Sequence, residues 1–206
     1  MKPLFFYLFS WIRQKKILKH VIPCKKLLDV GCGEEYYLLK SLRKKVDLLY
    51  GVDSDVESKN DENIYITREY LVDKLPYSPN KFNIVIMAAV LEHLEYPIEI
   101  LREVYRVLTK NGELILTTPD PNADKLLKIF RMLKLSELDE ENHKYYFSIS
   151  DLHKILSEIG YKDIRIYPFE FGLNKLVIAK KGFSRRQCKV LCEVAWKISA
   201  QSEKDE

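Results

Sequence analysis

Two glycines and the carboxylates around them define the chemistry this chain can support. The stretch Lys26-Leu27-Leu28-Asp29-Val30-Gly31-Cys32-Gly33-Glu34-Glu35-Tyr36-Tyr37-Leu38-Leu39 passes from an apolar run ending in Asp, through two glycines, into a helix-compatible pattern. It reads as strand, tight turn and helix, with Gly31 and Gly33 free to take positive φ and to let a ligand approach the main chain. Two ligands compete for such a turn, a dinucleotide and an adenosyl compound without phosphates. The dinucleotide fingerprint wants a third glycine where Tyr36 stands, and it seats a pyrophosphate where Glu34 and Glu35 would meet it with negative charge unless they turned away. Asp53 closes a second apolar run, Leu48-Leu49-Tyr50-Gly51-Val52, and lies 20 residues beyond Gly33, the offset at which an acid meets a ribose diol. An adenosine without a diphosphate satisfies both features.

Those residues also carry a resemblance. Leu28-Asp29-Val30-Gly31-Cys32-Gly33, Gly51-Val52-Asp53 and Phe82-Asn83-Ile84-Val85-Ile86-Met87-Ala88-Ala89-Val90-Leu91-Glu92-His93-Leu94, followed by Leu101 to Pro119, resemble the class I S-adenosylmethionine-dependent methyltransferases. Nearest is the subgroup of small, metal-independent enzymes acting on quinones, lipids, sugars and other small molecules. The resemblance covers roughly residues 26–180 and implies an α/β fold: a seven-stranded, Rossmann-like, doubly wound sheet, mostly parallel with a reversed last strand, and helices on both faces. It implies S-adenosylmethionine as cofactor. The backbone of Gly31, Cys32 and Gly33 would face its methionyl end, Asp29 its amino group, Asp53 and Ser54 the ribose, Asp73 the adenine, and Met87 and Ala88 the methionine part.

Positioning such a site requires elements in a set order, and the hydropathy pattern supplies them. Tyr36 to Lys45 is predicted helical, with Leu38, Leu39 and Leu42 facing the sheet. Only about ten mostly polar residues separate Asp53 from Ile64, so the usual second crossover helix is short or missing. Asn63 to Thr67 and the apolar run Phe82 to Met87 read as strands, the latter buried on both faces. Pro97 opens a helix that Asn111-Gly112 would stop, and Glu113 to Thr118 follows as a strand. Helices are also predicted over Ala123 to Leu135, over Leu152 to Ile159 behind a Ser150-Asp151 cap, and over Ser184 to Ser199. Asp163 to Tyr167 and Asn174 to Lys180, joined by a short loop, read as an antiparallel pair. The organisation predicted is an N-terminal amphipathic helix (1–25), the cofactor domain (26–180) with a lid insertion at about 120–150, and a helical extension (181–206).

Two histidines offer a base. His93 falls just past the Phe82 to Met87 run, where an ordinary pKa near 6.5 suits proton removal at neutral pH; a hydrogen-bonded scaffold role is the even alternative. His143 follows the acidic patch 137–141 and precedes Tyr145 and Tyr146, as a second base candidate in an acceptor pocket or as packing.

Composition bounds the rest. At 206 residues and 47% hydrophobic, the chain suits one buried core. Residues 1–26 hold seven Lys or Arg and no acid, leaving 27 basic against 30 acidic residues elsewhere, so the net charge of +4 is local. That speaks against a whole-domain nucleic-acid face. Ala88-Ala89-Val90-Leu91 also lacks the Asn or Asp followed by Pro-Pro and an aromatic that base-amino methyltransferases carry at this place. The sequence therefore points to a small-molecule, lipid-linked or sugar acceptor methylated at oxygen, with nucleic acid set aside and a monomer or homodimer as assembly. A cofactor-binding protein without catalysis is the alternative, and a nicotinamide enzyme a further one. Four scattered cysteines fit a reducing cytoplasm and no metal site. The apolar Leu4 to Ile12, flanked by lysines, is either a helix packed over the cofactor site or an interfacial helix meeting lipid headgroups; at about half of the ~20 residues needed, it does not span a bilayer.

Overall fold

The computed structural model of the chain describes residues 4–121 and 144–182. Its strands are β1 (Cys24–Val30), β2 (Val46–Asp53), β3 (Lys59–Asp61), β4 (Ile64–Arg68), β5 (Phe82–Ala88), β6 (Leu108–Pro119), β7 (Tyr161–Phe169) and β8 (Asn174–Lys181). They form one sheet in the order β3-β4-β2-β1-β5-β6-β8-β7. The centre is parallel, because β1, β2, β4, β5 and β6 are each linked to the next by a crossover; β3 and β8 run antiparallel to their neighbours. The sheet thus has eight strands where the sequence reading expects seven. The additional one is β3. Residues 54–63 are too few and too polar to cover a sheet face as a helix, so the chain folds back and pairs Lys59, Asn60 and Asp61 along the edge of β4.

Among the described residues, four helices cover the two faces. On one, α1 (Leu4–Leu18) and α2 (Tyr37–Leu42) bury Ile17, Leu39 and Leu42 against Leu27, Leu49, Ile86, Ile115 and Ile178. On the other, α3 (Pro97–Val107) and α4 (Ile149–Ile159) bury Leu101, Val104, Leu152 and Leu156 against Leu28, Val85, Leu114 and Val177. Ile17 and the following Val21 are 0% and 1% exposed. At about 1.5–3 kcal/mol for each such side chain, this burial makes α1 a layer of the same domain.

Three boundaries differ from the pattern-based reading, each for a local reason. α2 starts a residue late because Tyr36 takes φ 35, and it ends by Leu42. α3 stops at Val107 and Leu108 is already extended, pairing with Phe82; Asn111 (φ 60) then sits in an irregularity of β6, where a helix stop is predicted. α4 opens three residues early on a capping box: Ser148 Oγ accepts from Asp151 N at 3.1 Å while Asp151 Oδ2 accepts from Ser148 N at 3.0 Å. The helices predicted over 123–135 and 184–199 lie outside the described residues. Among the described residues no helix is long and apolar enough to cross a membrane.

Candidate active site

All parallel strands end at one rim of the sheet, and the glycine turn closes that rim between β1 and β5. Gly31 N donates to Val52 O at 2.8 Å, with φ 74. A Cβ at Gly31 would stand 2.2 Å from Val90 Cγ2, so the residue after β5 seals the turn from above. Gly33, at φ 68, is different: its N–H donates to Asp53 Oδ2 at 2.8 Å, and a Cβ there would meet nothing within 4 Å. Asp53 Oδ1 takes the Asp55 N–H at 3.0 Å, which fixes this carboxylate between the two strand tips. Ser54 lies half-buried beside it, its carbonyl accepting from Arg68 Nε at 3.2 Å.

Asp29 is 2% exposed and its Oδ1 has no hydrogen-bond partner. Burial pushes its carboxyl up to about 8, with the nearby Asp53 charge adding to the shift. A buried carboxyl with an unpartnered oxygen beside an open glycine turn suits a ligand's ammonium, which favours its ionised form, and that ionised form would oppose a phosphate. Cys32 packs its thiol over Gly51, and burial, then Asp29 and Asp53, hold it far above the ordinary thiol pKa. It is a neutral packing group. Glu34 and Glu35 turn out to solvent, Glu35 Oε2 lying 3.7 Å from Lys40 Nζ, so Asp29 does the excluding that the sequence reading assigns to them. Tyr36, at the third glycine position, takes the left-handed conformation itself and lies buried beneath the ammonium groups of Lys40 and Lys59. An adenosyl sulfonium with a free amino group fits this set: an acceptor for its ammonium, an oriented carboxylate for a diol, and main chain open to approach.

Of the remaining predicted residues, Met87 is fully buried and Ala88 half-buried at the end of β5, where Ala89 turns left-handed (φ 56) and donates its N–H to Thr117 O at 3.0 Å. Asp73 is exposed on the loop that leads to the buried Leu75. His93 is exposed at the end of a short 3-10 turn spanning Leu91–His93. His143 lies outside the described residues.

Sequence reasoning misses a second group of side chains on the same rim, beyond β5. Glu92 is 1% exposed and accepts from Thr118 Oγ1 at 3.2 Å; burial raises its carboxyl pKa, and Arg13 and His93 act against that rise. Glu170, at the β7–β8 hairpin tip, is also buried; its pKa is raised by burial and drawn back by Arg13 and by the Asn174 amide, which donates to Oε2. Lys175 is 1% exposed, donating to Asp120 Oδ2 at 3.1 Å and to Phe147 O, and burial lowers its pKa. It thereby ties the exit of β6 to the entry of α4. Lys144 N donates to Glu92 O at 2.9 Å, bringing the returning chain over the β5 exit. The one early signal was Glu92 standing beside His93; which of the pair turns inward is decided by the 3-10 turn.

Comparison with known proteins decides the family. A profile described as "Methyltransferase domain" matches residues 8–166. The chain belongs to the methyltransferase domain family. S-adenosylmethionine is its cofactor. Among solved structures, the YcgJ protein from Bacillus subtilis shares 16% identity and a TM-score of 0.63 over 84% of this chain and 99% of its own. An S-adenosylmethionine-dependent methyltransferase from Mesorhizobium loti shares 16% and 0.63 over 83% and 97%. These establish the fold. Curated relatives are named tRNA U34 carboxymethyltransferase. That of Helicobacter pylori strain J99 is 30% identical over 163 residues, 73% of this chain and 62% of the relative. That of Pseudomonas putida strain W619 is 27% identical over 150 residues, 68% and 46%. The chain thus spans about half to three-fifths of the length of the relatives it matches.

Those names overturn two sequence-based expectations, that the acceptor is a small-molecule, lipid-linked or sugar compound and that nucleic acid is no partner. The physical reason is visible in hindsight. The absent Asn/Asp-Pro-Pro motif speaks only against exocyclic amino groups as targets, and a local cluster of basic residues can contact phosphates without a basic whole-domain face.

Proposed function

We propose that this domain transfers the cofactor's methyl group to a base of a transfer RNA. The observation that carries the reading is the alignment of 73% of the chain with relatives named for a tRNA U34 reaction. Two features support it: α1 (Leu4–Leu18), carrying the exposed Lys15, packs across one face of the sheet, and buried polar side chains, Glu92 and Thr118 among them, sit on the rim beyond β5.

The cofactor supplies an already electrophilic methyl on a sulfonium. The protein's tasks are then to bind, align and dry the site, and proximity and orientation alone are worth ~7–11 kcal/mol of barrier. In this reading Asp29 holds the ammonium, the main chain of Gly31, Cys32 and Gly33 the methionyl end, Asp53 and Ser54 the ribose and Asp73 the adenine side. Met87 and Ala88 floor the site. His93, at the strand exit, takes the acceptor proton, and His143 is the second candidate for that step.

The test is incubation of the protein with unmodified tRNA and S-adenosylmethionine labelled in the methyl group, followed by mass analysis of the released nucleosides. Label in one nucleoside supports the reading, and the mass tells methyl from the carboxymethyl group for which the relatives are named. Absence of label from every RNA offered overturns it.

A further inference from the structure

A pair of exposed rings flanks the exits of β5 and β6 on the rim. Phe171, at the tip of the β7–β8 hairpin, is 99% exposed, while Phe169 and Leu173 on either side of it are buried. Tyr145 is 41% exposed on the chain that returns over the β5 exit. Both are fixed by hydrogen bonds of the main chain around them. Leu173 N donates to Glu170 O at 3.0 Å, Asp120 N donates to Leu173 O at 2.8 Å, and the Asn174 amide donates to Glu170 Oε2. Because Asn174 pairs with Pro119, this tip stands level with the end of β6. On the other side, Lys144 N donates to Glu92 O at 2.9 Å and the Tyr145 hydroxyl donates to Glu95 O at 3.4 Å.

The exposure of Phe171 is imposed by its backbone. Glu170 (φ 52), Phe171 (φ 56) and Gly172 (φ 82) are consecutively left-handed, and the first two are not glycine. A bulky residue at positive φ is strained and persists only where its surroundings over-determine it. Here the three carry the chain through the turn with Phe169 and Leu173 inward and the Phe171 ring in solvent. A ring held outward in advance meets a flat partner with little further loss of freedom. With strands about 4.8 Å apart, β8 lies ~10 Å from β5, so the two rings bracket the rim beside the glycine turn. A protein partner wants a contiguous apolar patch. These rings stand apart, and Lys144 next to Tyr145 is exposed. Separate π-faces with a cation nearby suit the unpaired bases and the phosphates of a single strand.

We propose that Phe171 and Tyr145 form a stacking clamp for single-stranded RNA, each taking one unpaired base that flanks the nucleotide to be modified. The inference rests on the RNA reading above and extends it from the acceptor base to its two neighbours. Stacking tolerates every base, so the clamp holds the strand and leaves sequence choice to other contacts. Phe171 gives a clean probe, because a side chain so fully in solvent can be truncated without opening a cavity. Tyr145 gives a second one, since Tyr145→Phe keeps the ring and drops only the hydroxyl bond to Glu95 O.

The experiment uses the full chain with tRNA, and with a short unstructured RNA carrying a fluorescent aminopurine at one position at a time, whose emission drops when it stacks on a ring. Wild type is compared with Phe171→Ala, Phe171→Trp, Tyr145→Leu and Tyr145→Phe, with thermal melts and cofactor calorimetry as fold controls. Phe171→Ala and Tyr145→Leu should each relieve the quenching, weaken RNA binding about tenfold and raise KM on tRNA with kcat little changed. Phe171→Trp and Tyr145→Phe, which keep a ring, should behave as wild type, and cofactor affinity should not move in any of the four. If wild type modifies tRNA but Phe171→Ala and Tyr145→Leu leave quenching and affinity untouched, the inference falls and the RNA reading stands. If these variants lose cofactor affinity in step with activity, the rings are scaffold and the inference falls. If wild type self-associates and Phe171→Ala abolishes that association, the ring serves a protein contact, which also overturns the clamp. If wild type neither binds nor modifies any RNA, both readings fall together.

Discussion

If Asp29 holds the cofactor's ammonium as proposed, its burial sets a pH dependence for binding. In the free protein its carboxyl is held at about 8 against an ordinary 3.8, so the folded state keeps a proton that the unfolded chain releases. That contribution to stability is present at acid pH and is lost as pH rises through about 8. The bound ammonium wants the ionised form, so cofactor binding at neutral pH must expel the proton. Affinity for S-adenosylmethionine should therefore rise with pH, by up to about tenfold per unit, and level off above about 8. Calorimetry at pH 7 in buffers of differing ionisation heat should show about one proton released per molecule bound. Asp29→Asn should flatten that profile and bind more weakly throughout; a profile unchanged by the substitution would remove Asp29 from the site. Three and four positions past the Ala89 turn, Glu92 is buried and His93 exposed, so base and scaffold can be told apart by kinetics. His93→Asn should lower kcat by ~10²–10⁴ if His93 takes the proton, with KM and cofactor affinity little changed, since one positioned base is worth that factor. A kcat within a few-fold of wild type would assign it no proton.

At the scale of elements, the glycine turn makes two neighbouring glycines answer differently to the same substitution. Both have left-handed φ, so alanine at either meets a backbone cost of about 1–2 kcal/mol. At Gly31 the new methyl also runs into Val90 at 2.2 Å, whereas at Gly33 it enters open space, where the proposed ligand would approach. Gly31→Ala should thus melt well below Gly33→Ala, the added overpacking being worth about 1–3 kcal/mol and several degrees. Gly33→Ala should keep its fold and lose cofactor affinity. Thermal melts with and without S-adenosylmethionine check both; equal melting of the two variants would show that Val90 gives way freely. This turn was legible in the sequence because its geometry is local: Gly31, Gly33 and the acid at 53 follow from strand, turn and strand in succession. β3 was not, because a three-residue edge strand is set by what β4 leaves unpaired. Nor was the start of β6, since Leu108 is apolar enough for either element and the choice falls to its pairing with Phe82.

At the scale of the whole molecule, the buried charges beyond β5 were illegible for a related reason. Arg13, Glu92 and Glu170 are about 80 residues apart from one to the next, and no periodicity in α1, in a 3-10 turn or in a hairpin tip announces that the fold brings them to one rim. Lys175 looks like any strand lysine until Asp120 and Phe147 O are found around it. The basic N-terminal segment was legible as charge and as a helix, and the fold shows α1 packed as a layer through Ile17, with Lys15 and Lys19 exposed. Lys15 is exposed, with its ammonium 3.8 Å from the Trp11 ring centroid, and Lys16 follows it on the outer part of the helix. If these lysines meet RNA phosphates, the double variant Lys15→Glu, Lys16→Glu should bind tRNA about tenfold more weakly at low salt. Its plot of log affinity against log salt should be shallower by about 1–2, because each phosphate no longer neutralised removes about 0.7–0.9 from the slope. The two affinities should converge as salt rises, and cofactor affinity should not move, since α1 is held through Ile17 on its opposite side. A slope identical to wild type would place the RNA on another face, whatever the charge of this one.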